Sequence, residues 1–206
     1  MSTEAAPRWR RLEPDTRRGQ ILACAIQLFG ERPYSAVSTS DIAAEAGVAR
    51  GLINHYFGTK RDLYLEVVRR MVHMPPADEL TPPQGDLRTR IDKSVGWVLD
   101  AVQVHGKTWV AVTGAEGIGA DPEVERILDE ADEIAADRVL VTVGLDAVAE
   151  HREVLRAMIR AYGGMLKALV REWLIRKTMT REQVQLMLSQ QLYTLVNDTF
   201  RALGEA

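Results

Sequence analysis

The sequence contains one cysteine and no long apolar run. Cys24 has no second cysteine to pair with, which excludes an internal disulfide framework and fits a reducing compartment. No apolar stretch approaches the roughly 20 residues that cross a bilayer. The basic residues at the N-terminus are not followed by the apolar stretch of a secretory signal. We therefore expect a soluble, cytoplasmic protein with no membrane partner.

Residue combinations that support catalysis or metal binding are also missing. The four histidines, His55, His73, His105 and His151, are scattered, and no His, Cys or Asp cluster has metal-ligand spacing. No serine or cysteine has an evident base partner for nucleophilic catalysis. The sequence thus predicts no catalytic residue, no metal site and no cofactor.

The net charge of −3 is distributed unevenly along the chain. Residues 1–70 contain 11 Lys and Arg against 8 Asp and Glu, whereas residues 71–206 contain 15 against 21. Binding to nucleic-acid phosphates requires basic charge concentrated at one end. The distribution therefore favours nucleic-acid binding by the N-terminal part.

Helical periodicity extends over most of the chain and strand signals are scarce, which predicts an all-α fold. Four prolines interrupt the helical pattern within residues 74–85 and mark a domain boundary. We expect a flexible basic arm over residues 1–14 and a helical domain with its linking helix over residues 15–73. A larger helical domain is expected over residues 86–206.

Capping residues mark three helix starts in the N-terminal part. Asp15 is the predicted N-cap of the first helix. Ser38 and Thr59 precede two further helices, and Asp41 and Asp62 stand three residues later, where they complete capping boxes.

The larger domain is predicted to contain a helix over residues 86–105, followed by a glycine-bearing connection over residues 106–120. Asp121 caps the next helix, and two long helices over residues 151–177 and 180–203 close the chain.

The spacing between residues 42 and 57 predicts a helix-turn-helix, so that the N-terminal domain is a three-helix unit. Gly47 can adopt the left-handed conformation of the turn, and Ala43 lets the two helices approach. Val48, Ile53 and Phe57 are expected to face the core. The outer side of the second helix, which is free to enter a DNA major groove, then carries Arg50, Gly51, Leu52, Asn54, His55 and Tyr56.

Residues 15–70, with IAAEAGVARGLINHYFGTKRDL at their centre, resemble the DNA-binding domain of the tetracycline-repressor (TetR) family. The resemblance implies that Tyr56 and Lys60 contact phosphates and that Thr39 and Ser40, on the supporting helix, touch the DNA backbone. Asn54 replaces the family's usual tyrosine and can instead read adenine. Ala49 replaces a common capping Ser or Thr. The candidate DNA-binding residues are Arg17, Arg18, Ser38, Thr39, Ser40, Arg50, Gly51, Leu52, Asn54, His55, Tyr56 and Lys60.

The N-terminal segment contains Arg8, Arg10 and Arg11. It is either an arm that reaches a minor groove or phosphates, or a solvated start without contacts. The sequence leaves both interpretations open.

The resemblance also implies a ligand cavity and a four-helix dimer interface in the larger domain. Gly163 and Gly164 interrupt a strong helix former, which favours close approach of a neighbouring helix. Candidate ligand-binding residues are Trp97, His105, Trp109, Met158, Tyr162 and Met165, and the alternative for each is ordinary core packing. Candidate dimer-interface residues are Gly163, Gly164, Leu188, Leu192, Leu195 and Val196.

An enzyme interpretation rests on residues 110–119, which resemble the strand and glycine turn of a nicotinamide-dependent short-chain dehydrogenase. In residues 113–119 the glycines are one residue too close, and Tyr162 and Lys167 are one residue too far apart for the expected catalytic pair. The motif also requires alternating strands and helices, whereas the residues that follow are helical in pattern.

The helix-turn-helix predicts DNA binding, and the resemblance implies a ligand-responsive transcriptional regulator that binds double-stranded operator DNA as a homodimer. The expected form is a repressor that a small, mostly apolar effector releases from a pseudo-palindromic operator. The alternatives are a nicotinamide-dependent oxidoreductase and a helical binding protein without DNA affinity.

Overall fold

The computed structural model describes residues 14–74, 79, 81–114, 121–148, 151–200 and 202. Within these ranges every regular element is helical, which confirms the predicted all-α fold. None of the helices described there is long and apolar enough to cross a membrane. The main helices are α1 (Pro14–Glu31), α2 (Thr39–Glu45), α3 (Arg50–Phe57), α4 (Lys60–Val72), α5 (Leu87–Val104), α6 (Gly106–Thr113), α7 (Pro122–Val143), α8 (Arg152–Arg171) and α9 (Arg181–Thr194).

Two helix starts in the N-terminal part have the predicted capping boxes. The backbone N–H of Asp41 donates to the Ser38 hydroxyl, and the Ser38 N–H donates to the Asp41 carboxylate at 2.8 Å. Thr59 and Asp62 repeat this arrangement at the start of α4. These bonds satisfy amides that have no partner within the first turn. The first helix begins one residue before Asp15, which therefore lies in the first turn and not at the N-cap.

The four N-terminal helices enclose an apolar core that helices of the C-terminal part complete. Val112 of α6 and Val124 and Ile127 of α7 belong to the same buried cluster as the N-terminal side chains. The N-terminal contribution includes Ile21, Ala25, Phe29, Ile42, Ile53, Leu63 and Val67.

A second apolar core joins the C-terminal helices. Helices α5 and α9 run antiparallel, because Arg88 near the start of α5 donates to Gln190 while Arg181 at the start of α9 pairs with Asp100. Ion pairs such as Lys167–Asp132 join α8 to α7. The fully buried side chains include Ile91, Leu99, Leu140, Val170, Val184 and Leu188.

The glycine-bearing segment differs from the sequence expectation. Its first part, Gly106–Thr113, forms α6 and is not a connecting loop. The strand required by the dehydrogenase interpretation is contradicted, because residues 110–113 are helical. Residues 115–120, which include Gly117 and Gly119, lie outside the described residues.

Two turns of π-helix follow the long C-terminal helices. Glu172–Arg176 continues α8, and Leu195–Thr199 continues α9. Within the described residues, the two predicted C-terminal helices are thus present over residues 152–176 and 181–200, and each ends in a wider turn.

Candidate DNA-binding interface

Helices α2 and α3 form the predicted helix-turn-helix. Gly47 lies in the turn with a φ of 62°, a conformation that favours glycine. Ile53 and Phe57 are buried and Val48 packs on the same core, which confirms the predicted inner face. The opposite face of α3 is open to solvent, and its exposed residues are Arg50, Gly51, Asn54 and His55.

Arg50 connects the two helices of the motif. Its Nε donates to the Thr39 hydroxyl at 3.2 Å, so the guanidinium is oriented along the outer surface. Ala49 occupies the N-cap of α3 without a side-chain hydrogen bond, as its identity predicts. The Leu52 N–H donates to the Ala49 carbonyl, and the amides of Arg50 and Gly51 before it can donate to another acceptor, such as a DNA phosphate.

The candidate residues Ser38, Ser40 and Leu52 differ in how much of each side chain is available to DNA. The Ser38 hydroxyl is engaged in the cap of α2, whereas Ser40 is exposed on its first turn. Leu52 on α3 is half-buried, so only part of its side chain reaches the outer face.

Tyr56 and Lys60 lie at the end of α3 and the start of α4. Tyr56 is half-buried, and its ring meets that of His55 edge-on with centroids 5.1 Å apart. The Lys60 ammonium donates to the Tyr34 carbonyl at 2.6 Å and lies 4.0 Å from the Tyr34 ring centroid. Partial burial lowers the pKa of Lys60. An ammonium has three donors, so Lys60 still has donors for a phosphate.

The two arginines near the start of α1 are both half-exposed, but they differ in their contacts. Arg18 forms an ion pair with Glu66 at 3.1 Å, and its guanidinium lies 4.7 Å from the Phe57 ring centroid. These contacts hold α1 against α3 and α4, a structural role that the sequence analysis missed. Arg17 occupies the preceding position of the same helical turn. Arg8, Arg10 and Arg11 lie outside the described residues.

Residues 21–67 match the sequence profile described as bacterial regulatory proteins, tetR family. This match spans the helix-turn-helix and both capping boxes. The helix-turn-helix part of the chain is therefore similar to that of the tetR family of bacterial regulatory proteins.

Relatives and solved structures extend this similarity beyond the helix-turn-helix. The chain is 29% identical over 148 residues to the HTH-type transcriptional activator FasR of Mycolicibacterium smegmatis. The aligned residues cover 70% of this chain and 67% of FasR. It is 27% identical over 157 residues to the HTH-type transcriptional regulator BetI of Rhizobium meliloti, covering 76% of this chain and 63% of BetI. A tetR-family transcriptional regulator from Streptomyces coelicolor is 25% identical, with a TM-score of 0.74 over 89% of this chain and 82% of that one.

These relatives are named as transcriptional regulators, and the region matched by the family profile includes α3 with its exposed face. The enzyme interpretation receives no support from the relatives, which are not described as enzymes.

The six candidate ligand-binding residues do not surround one cavity. Trp97 is 51% exposed, in a shallow cleft between α5 and α9, and His105 is exposed between α5 and α6. Their predicted place inside a cavity is therefore not observed. The half-buried candidates are Trp109, Met158, Tyr162 and Met165.

Tyr162 is the most constrained of these candidates. Its hydroxyl donates to the Leu188 carbonyl at 3.1 Å, and burial raises its pKa. Its ring packs against the C-terminal core together with Trp109 and Met165. Core packing thus accounts for part of the role of all three side chains.

Two predicted dimer residues are placed elsewhere. Leu188 and Leu192 are 0% and 2% exposed within the single chain, so they pack in its own core and present no surface to a partner. The apolar stripe that suggested them marks the inner face of α9. Leu195 and Val196 are half-buried in the π-turn.

The outer faces of α8 and α9 have the features expected of an interface. An added Cβ at Gly163 or Gly164 would meet no atom within 4 Å, so their own subunit offers no reason for glycine there. On α9, Leu186 is 70% and Met187 is 42% exposed, and the sequence analysis missed both. The exposed apolar and small residues on α8 are Val154, Ala157, Ala161, Gly164 and Ala168.

Proposed function

We propose that this chain is a homodimeric repressor that binds a pseudo-palindromic operator without ligand and is released by a small effector. Residues 15–73 bind DNA, and residues 86–206 dimerise and bind the effector. The observation that carries the proposal is the solvent-open face of α3, held by an apolar inner face and flanked by cationic and hydroxyl side chains. A bacterial regulator of this kind acts beside the chromosome, which places it in the cytoplasm.

Base reading is assigned to the exposed middle of α3. Asn54 has an amide that can bond bidentately to adenine in the major groove, and His55 lies beside it. Arg50 suits guanine or a phosphate, and Gly51 allows close approach because it has no Cβ.

Phosphate binding is assigned to the rim of this face. Lys60 and Tyr56 lie at the C-terminal end of α3, while Thr39 and Ser40 lie on α2 and Arg17 on α1. These contacts position the protein and carry little sequence information. The open amides at the start of α3 can add a further phosphate contact.

Dimerisation is assigned to the outer faces of α8 and α9. Leu186 and Met187 form an exposed apolar pair, and the small residues around Gly164 allow a partner helix to approach closely. A second copy of the chain is the occupant that fits, because a two-fold axis brings the same two helices together from both subunits. Helix α3 is the recognition helix of each subunit. The two recognition helices then read two half-sites separated by one turn of the DNA double helix or a multiple of it.

The effector is assigned to the region of α6 and α8. Trp109, Tyr162 and Met165 are half-buried, aromatic or polarisable, and uncharged at neutral pH, so the effector is expected to be mostly apolar. The Tyr162 hydroxyl is the candidate polar anchor. A ligand acts only through its different affinity for the two conformations of the protein.

Selection of bound fragments from a random DNA pool tests the proposal. The expected product is a pseudo-palindrome, and an Asn54→Ala variant should select a site with one relaxed base pair in each half. A reporter gene downstream of that site then gives the direction of control, and expression should fall when the protein is present. A rise in expression would make the protein an activator, as FasR is named. Failure to enrich any sequence would favour a helical binding protein without DNA affinity.

A further inference from the structure

Arg50, the first residue of α3, carries a charge that the described part of the chain leaves unneutralised. Arg18 and Arg61 form ion pairs with Glu66 and Asp121. Arg50 is exposed, and none of the carboxylates that the structure describes forms an ion pair with it. Its guanidinium is therefore available to a partner outside the chain.

This guanidinium is held by a hydroxyl group of the neighbouring helix. Arg50 Nε donates to Thr39 Oγ1 at 3.2 Å, which joins the first residue of α3 to the first residue of α2. Thr39 lies inside the capping box, where Ser38 and Asp41 exchange hydrogen bonds at 2.8 and 3.1 Å. The acceptor is thus fixed in place. Orienting a long side chain before binding reduces the entropy that binding costs.

The bond to Nε determines which edge of the guanidinium is left for a ligand. An arginine has five N–H donors in a rigid fork, and with Nε engaged the edge formed by Nη1 and Nη2 remains. The O6 and N7 atoms of guanine accept two hydrogen bonds from such an edge in the major groove. In a helix-turn-helix, the N-terminal residues of the second helix contact base edges. Arg50 occupies that position, one turn before the exposed Asn54 on the same side of α3.

A phosphate near the start of α3 can be bound by other groups. The amides of Arg50 and Gly51 precede the first backbone hydrogen bond of α3, which Leu52 donates, and they can serve a phosphate. An added Cβ at Gly51 would meet no atom within 4 Å, so the space beside Arg50 is open to the wall of a groove. The side chain of Arg50 is thus free to extend to a base.

We propose that Thr39 is a positioning residue for base reading. Through its bond to Nε, Thr39 directs the Nη edge of Arg50 at O6 and N7 of one guanine in each half-site. This guanine should lie about two base pairs from the adenine assigned to Asn54, because four helical residues rise about 6 Å and one base step about 3.4 Å. The role rests on the proposed function, to which it adds a second base.

Two substitutions separate the hydroxyl of Thr39 from its shape. Thr39→Val keeps a branched side chain of similar size and removes the hydroxyl. Thr39→Ser keeps the hydroxyl and is the matched control. Both are compared with Arg50→Ala on the operator selected from the random DNA pool, in which 7-deazaguanine replaces each guanine of the half-site in turn. This base keeps O6 but lacks the N7 acceptor.

Fluorescence anisotropy of the full chain gives the ratio of affinities for the guanine and 7-deazaguanine operators. At one guanine, the ratio should be at least about tenfold for the wild type and Thr39→Ser, as expected for a hydrogen bond from a charged donor. Arg50→Ala should bind both operators equally. Thr39→Val should reduce the wild-type ratio at least about twofold, the lower end of the contribution of one hydrogen bond. Because the ratio compares two operators with one protein, a change in the folded fraction cancels.

A direct phosphate contact by the Thr39 hydroxyl gives a different pattern. Thr39→Val would then weaken binding to both operators equally, and the loss would persist when Arg50 is already alanine; this result would overturn the proposal. A wild-type ratio near one at every guanine would also overturn it, while DNA binding by α3 would stand. A protein that enriches no DNA sequence would refute the proposed function and the role of Thr39 together.

Discussion

We expect Gly164→Leu to weaken the dimer without lowering the stability of the folded subunit. In the single chain the new side chain enters open space, because no atom lies within 4 Å of an added Cβ. Replacing a mid-helix glycine should stabilise α8 by up to about 1 kcal/mol. In the proposed two-fold dimer, the same side chain occurs twice and meets a closely packed partner helix. Overpacking costs about 1–3 kcal/mol per site, so the dimer should lose roughly 2–6 kcal/mol.

The corresponding rise in the dimer dissociation constant is about 30-fold to 10⁴-fold. Sedimentation equilibrium over a concentration series measures it, and the wild-type mass should be twice 23.0 kDa. Gly19→Leu is the control, since it lies on an exposed helix position with equally open surroundings. Operator affinity should fall with the dimer, because the second half-site is no longer held at high effective concentration. A Gly164→Leu variant that dimerises as tightly as wild type would refute the assignment of this face.

Three further predictions concern DNA contacts, induction and pH. Lys60→Ala should weaken DNA binding similarly on all sequences and reduce the slope of log affinity against log salt concentration by about one. Asn54→Ala should instead cost roughly 1–3 kcal/mol at one base pair only. Fluorescence anisotropy on operator variants measures both effects, and an equal loss of specificity from both variants would show that the exposed face of α3 is misassigned. Trp109→Ala should blunt release by the effector while operator affinity stays close to wild type, even though the loss of its packing on the C-terminal core lowers the melting temperature; a parallel loss of operator affinity would make Trp109 a core residue. The hydrogen bonds that Thr59 donates hold the pKa of Asp62 below its ordinary value, so the carboxylate stabilises the fold at neutral pH and that contribution is lost as pH falls through the lowered pKa. In urea unfolding from pH 7 downwards, the free energy of unfolding of D62N should therefore depend less on pH than that of the wild type. An identical pH dependence in the two proteins would contradict this.

The DNA-binding motif was predictable because its determinants are local. A capping box spans four residues, and the turn at Gly47 depends on one backbone conformation. The periodicity of Ile53 and Phe57 places the inner face without knowledge of any neighbour. The contacts that distant residues make were not predictable in this way. Lys60 bonds to the Tyr34 carbonyl 26 residues earlier, and no local pattern indicates that partner.

The dimer face shows a second limit of sequence patterns. An apolar stripe identifies a buried helix face but not what covers it. On α9 the strongest stripe contains Leu188 and Leu192, which the chain's own core covers. The exposed residues Leu186 and Met187 lie between the members of that stripe in the sequence. That they are exposed follows only from the position of α9 against α5 and α8.

The proline-rich boundary separates α4 from α5 along the sequence, but it does not divide the apolar core on its two sides. Helix α4 ends at Val72 and α5 begins at Leu87, close to the predicted limits. Yet Val112, Val124 and Ile127 from beyond the boundary fill the core of the N-terminal helices. Ion pairs such as Arg61–Asp121, with Nε and carboxylate oxygen 2.7 Å apart, also cross it, but water screens exposed pairs and limits their contribution. The buried apolar contacts therefore fix the orientation of the recognition helix, and any ligand that rearranges α6 or α7 acts on the same core that holds α3.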